Sequence, residues 1–179
     1  MRFHPRFSIK FLLHPAPAAL VLLALITAFI SAPTSANQTD DPKVVAPEFI
    51  PLSIAGMTLI NLLDGAEAAK IIDRMHHGDV ATQANFIAKY QGAPGSATYY
   101  VSLYDDPQRA MKDMEEMGRI MGKEGHGFSH LMRRTREEIP FYMALGQGQA
   151  HYFFVRDIEL IWLAVDVDIA EQALEEILQ

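Results

Sequence analysis

The sequence predicts an α+β domain: a mostly antiparallel sheet with three helices, in the order β-α-β-β-α-β-β-β-β-α. Three observations lead there. Runs rich in branched and aromatic residues recur along residues 52–179. Three of them are followed by aspartate and then by apolar residues at helical spacing. The remaining runs are separated by short Gly-, Pro- or Asp-containing links, which favour antiparallel neighbours.

The first unit is Leu59-Ile60-Asn61-Leu62-Leu63, then Asp64, then a helix through Ile71, Ile72 and Met75. Asn85–Tyr90 and Ala97–Tyr104 read as a hairpin flanking Gln91-Gly92-Ala93-Pro94-Gly95-Ser96, a turn by composition. Asp105-Asp106-Pro107 then opens the second helix, with proline at a first-turn position where its missing N–H costs nothing. Phe128–Arg136, Phe141–Leu145, Ala150–Val155 and Leu160–Val165 read as four further strands. Asp166-Val167-Asp168 leads into the last helix, Ile169–Leu178. Asp64 and Asp168 each precede a glutamate by three positions, the spacing of a capping box, so caps rather than catalytic carboxylate pairs are expected there. A ferredoxin-like core followed by a strand-rich extension is the arrangement this order suggests.

The N-terminal residues read as a signal peptide spanning 1–36. Arg2, Arg6 and Lys10 form a basic head. Ala18–Ile30 is uncharged and apolar, but shorter than the ~20 residues a membrane-spanning helix needs. Ala32-Pro33-Thr34-Ser35-Ala36 supplies small residues before Asn37, so cleavage is expected between Ala36 and Asn37 and the product is expected to be exported, periplasmic or secreted. Residues 37–51, polar at first and then punctuated by Pro42, Pro47 and Pro51, read as a tether ahead of a single α+β domain at 52–179.

Charge and cysteine content narrow the partners. The leader carries three of the fifteen basic residues and none of the twenty-two acidic ones, leaving a net charge of −10 for residues 37–179. Such a chain does not suit nucleic acid or, once the leader is removed, an anionic membrane. No cysteine is present, which excludes disulfides, thiol catalysis and thiolate metal sites.

No motif names a reaction. The serines lack a nucleophile-elbow context, Gly146-Gln147-Gly148 lacks the lysine and helix start of a phosphate loop, and Glu137-Glu138 reads as a turn. Two features remain. Met111, Met114, Met117 and Met121 fall on one helical stripe, the pattern of a core-facing surface. Soft thioethers near histidines would also suit copper, so a transition-metal carrier using Met121, His126, His130 and Met132 is the alternative. The strands around Tyr100, Tyr104, Gln149, His151, Tyr152, Phe154 and Trp162 carry apolar residues on both faces, with Gln147 nearby. An antiparallel sheet with one solvated face alternates instead. The expectation is a non-enzymatic binding or accessory protein that uses this surface for a second copy of itself or for a small apolar ligand, without a cofactor. A hydrolase with dispersed site residues is the second alternative.

Overall fold

A computed structural model describes residues 44–76, 83–123 and 127–179. Eight strands form one antiparallel sheet curled into a half-barrel, in the order β1-β2-β3-β4-β8-β7-β6-β5. The elements are β1 (Ser53–Ile54), β2 (Met57–Asp64), α1 (Gly65–His76), β3 (Ala84–Gly92), β4 (Gly95–Leu103), α2 (Pro107–Met121), β5 (Phe128–Arg136), β6 (Ile139–Gly146), β7 (Gln149–Arg156), β8 (Glu159–Asp166) and α3 (Ala170–Ile177). The order expected from the sequence is present, with the two-residue β1 added in front. The ferredoxin-like core is not what these strands build. That core needs crossovers returning parallel strands, whereas every neighbouring pair here is antiparallel. Asp64, where β2 ends, pairs with Phe86 near the start of β3, so the chain re-enters the sheet at the end it left.

Local chemistry explains most boundaries. Asp106, extended at φ −144° and ψ 122°, accepts from the Gln108 N–H at 2.9 Å and caps α2, with Pro107 following. The expected Asp168 cap does not form: Val167–Ile169 make a turn of 3-10 helix, α3 starts at Ala170, and no side chain bonds its first N–H groups. Asp166 instead ties β8 to the start of β4. It accepts the Ser96 N–H at 2.8 Å and the Ser96 hydroxyl at 3.1 Å. Gly95 permits that approach: at φ 153°, a Cβ there would lie 2.8 Å from an Asp166 carboxylate oxygen. Glu137 and Glu138 are both left-handed, at φ 48° and 65°, and form the tight β5–β6 turn.

Both faces of the sheet are apolar, and the chain itself supplies cover for each. On one face α1 packs mainly on β3, through Ala68 and Ile72 against Ile87, and α2 packs on β7 and β8. Met114, Met117 and Met121 are buried there with Tyr104, Phe153 and Leu160, so the methionine stripe is core. On the other face, Tyr90, Tyr99, Phe154 and Ile161 are closed over by Ala173, Leu174 and Ile177 of α3. Residues 44–51, whose composition suggests a tether, also join this core: Ile50 is 2 % exposed, and the Tyr90 hydroxyl donates to Pro51 O at 2.8 Å. Apolar strands on both sides therefore follow from a third layer within the chain, and a second subunit is not needed to account for them. Residues 1–36, including the expected leader and its cleavage point, lie outside the described residues.

Candidate functional site

The two helices on their shared face leave part of it open. Beyond the end of α1, where β4, β8 and β7 lie side by side, a cleft of about 330 Å³ remains. Its floor follows from strand register. Tyr100 stands opposite Trp162 and Thr98 opposite Ala164, while His151 sits across from Ala164 on the next strand. Period-two alternation puts all five side chains on the same face. Arg74 and Met75 at the end of α1 form one wall, and Phe128 of β5 with Gln147 and Gln149 forms the other.

Trp162 is the centre of this arrangement. Its ring lies 5.9 Å from Phe128, 5.9 Å from Phe153 and 6.4 Å from Tyr100, all tilted contacts. The indole N–H points away into the protein and donates to His151 Nδ1 at 3.0 Å. An indole N–H can only donate, so His151 Nδ1 must accept and its hydrogen resides on Nε2. Nε2 in turn sits 3.0 Å from Gly146 O and donates to it. His151 is 4 % exposed, and burial holds its pKa below the ordinary value; the Gly146 bond offsets this only in part. The imidazole is therefore neutral at physiological pH, with both nitrogens engaged. It fixes the indole plane and has no free lone pair to act as a general base.

The polar rim is equally constrained. Gln149 Nε2 donates to Asp166 Oδ1 at 3.2 Å, so Asp166 gathers β4, β7 and β8 at this end of the sheet. The hydrogen bond from the Ser96 backbone holds its carboxyl below the usual carboxylate pKa; burial opposes this, and the bonds from Gln149 and the Ser96 hydroxyl add to the lowering. Burial pushes the Tyr100 phenol up, so it stays protonated and can donate. Ser96 does lie against a carboxylate, but no histidine joins the pair among the described contacts, and a nucleophile–base couple is not formed.

The residues singled out in the sequence divide among three places. Tyr100, Gln149, His151 and Trp162 meet in the cleft, with Gln147 at its edge. Tyr104 is on the same face but fully buried beneath α2, with its hydroxyl donating to Asp113 Oδ2 at 3.0 Å. Tyr152 and Phe154 point to the α3-covered face, as residues of opposite parity to His151 must. Arg74, Met75, Thr98, Phe128 and Ala164 complete the cleft without having stood out in the sequence. Thr98 and Ala164 follow from the pairing of β4 with β8; no local signal points to the end of α1.

The methionine–histidine group does not assemble as a unit. Met121 is buried under α2, whereas Met132 lies on the opposite face beside Phe141, Met143 and Tyr152. A bulge between Ser129 and Met132 leaves His130 exposed at φ 55°, its Nδ1 3.0 Å from Ser129 Oγ. His126 lies outside the described residues. Among the described residues no group of three or more His, Cys, Asp or Glu could hold a metal ion. A broader groove of about 740 Å³ follows the outer side of α2; among its charges Arg119 pairs with Glu116 and Glu115 accepts from Arg133 and Tyr142, with Lys112 and Asp113 alongside. No family model, curated protein or solved structure matches this chain, so the site is read from its own geometry.

Proposed function

We propose that this chain is an exported, non-enzymatic binding protein that takes a small, largely apolar ligand in the cleft beside Trp162. The observation that supports this reading is a rigid aromatic floor left open by the helices. Trp162 and Tyr100 are only partly covered, and the indole is held in place by a histidine already committed at both nitrogens. A volume of about 330 Å³ falls at the lower end of the ~300–1,000 Å³ typical of small-molecule pockets. An aromatic floor edged by polar groups that can orient a ligand is common in such sites. The absence of a base–nucleophile pair in the described cleft favours binding over hydrolysis. Copper carriage loses support because Met121 and Met132 lie on different faces of the sheet.

The test uses an environment-sensitive naphthalene dye with the mature protein and with Ala164→Phe, a substitution that fills the cleft floor. The account expects saturable dye binding to the native protein, and its loss in a variant whose circular dichroism is unchanged. Equal binding by both would locate the dye elsewhere and overturn the assignment.

A further inference from the structure

The charge of the cleft's lining bears on what it would accept, and this inference rests on the reading of the cleft as a ligand site. We infer that the ligand class is a planar aromatic carboxylate or a similar aromatic monoanion, stacked on Trp162 with its anionic group toward Arg74.

Three features carry this. First, the Tyr100 and Phe128 rings lie 6.4 Å and 5.9 Å from that of Trp162, and the indole N–H is already used by His151. The site therefore presents the face of the indole, which suits a flat ring, and not its hydrogen-bonding edge. Secondly, among the described residues lining the cleft Arg74 is the one charged side chain, and the carboxylate at the rim, Asp166, is already bonded to Ser96 and Gln149. That balance opposes the net charge of −10 for residues 37–179. Arg74 Nε donates to Lys70 O at 3.3 Å, with the side chain along the end of α1 at the cleft wall. Thirdly, the other polar lining groups, Thr98, Gln147 and Gln149, are neutral, and the protonated Tyr100 phenol adds a donor. Donors of this kind suit an acceptor-rich anion.

An aromatic box can also receive a quaternary ammonium ion through cation–π attraction. Such sites gain from nearby negative charge. Here the wall carries a guanidinium, whose repulsion would oppose a cation, so the anion is favoured.

The experiment compares 2-naphthoate, 2-naphthamide and 2-naphthyltrimethylammonium by calorimetry on the mature protein, with the Trp162 indole N–H resonance locating each. That resonance is unambiguous because the chain has one tryptophan. Naphthoate is expected to bind and shift the indole signal, with the amide about tenfold weaker, as loss of a charge-assisted hydrogen bond implies. Arg74→Gln should remove the difference between naphthoate and naphthamide, and Arg74→Lys should restore part of it. Equal affinity of acid and amide, or preference for the ammonium compound, overturns the anion assignment while leaving the cleft as a site. Binding without movement of the indole signal, or no binding by any of the three, overturns the anion assignment; the cleft itself then falls only if the dye experiment also fails.

Discussion

Replacing His151 by asparagine isolates the contact on which the floor of the cleft depends. Asparagine's side-chain oxygen occupies roughly the position of imidazole Nδ1, so the Trp162 N–H keeps an acceptor, whereas the donor to Gly146 O is lost. The ring also leaves its edge-on contact with Phe128 at 5.0 Å. One buried acceptor left without its donor costs about 1–3 kcal/mol, so the variant should be less stable by that amount near pH 7.5. The pH dependence is the sharper signature. Because burial lowers the folded pKa of His151, the unfolded chain takes up a proton below about pH 6.5 that the folded protein does not. Wild-type stability therefore falls as pH drops through that range, with a slope approaching about 1.4 kcal/mol per pH unit until the folded imidazole itself protonates. Above that range both states are neutral and His151 contributes no slope. The variant lacks this proton linkage, and the other histidines are common to both proteins. The stability gap between them should accordingly narrow by up to about 1.4 kcal/mol between pH 7.5 and pH 5.5. Urea unfolding followed by circular dichroism at both pH values measures it. A gap that stays constant or widens would refute the buried neutral imidazole.

Four further outcomes follow from particular contacts. Met114→Ala removes a side chain with no exposed surface from beneath α2 and should cost about 2–5 kcal/mol in urea unfolding. Gly146→Ala places a Cβ 2.5 Å from the Phe128 ring, so Phe128, which packs on Trp162, must shift; a loss of about 1–3 kcal/mol and altered tryptophan emission are expected. Asp106→Ala deletes the α2 cap and should lower stability by about 1 kcal/mol, whereas Asp168→Ala, which removes no cap, should leave thermal unfolding nearly unchanged. For the leader, Edman sequencing of the exported protein should begin at Asn37; an intact Met1 would contradict cleavage.

Much of the fold was legible in the sequence because local signals agree with it. Asp106-Pro107 marks a helix start by capping chemistry, and the methionine stripe marks the buried side of that helix. Strand order was not legible, since β4 meets β8 across some sixty intervening residues and no local pattern encodes that pairing. The same gap limits the site. Trp162 and Tyr100 could be chosen as aromatic residues on doubly apolar strands, but their juxtaposition depends on register. Tyr152 and Phe154 looked equivalent to His151 by composition, yet alternation sends them through the sheet to the α3 side. Asp168 had the spacing of a cap, but the turn at Val167–Ile169 shifts the helix start past it. The cover on the second face was hidden for a related reason: Val44–Pro51 has the proline content of a linker, and only tertiary contact shows Ile50 in the core.

The most direct test of the central claim is backbone and indole chemical-shift mapping of the mature protein during titration with 2-naphthoate. The account predicts shifts concentrated at Thr98, Tyr100, Gln149 and the Trp162 indole, with Tyr152 and Leu174 on the opposite face unmoved. Shifts centred on Tyr152 and Leu174, with the Trp162 indole unchanged, would contradict it.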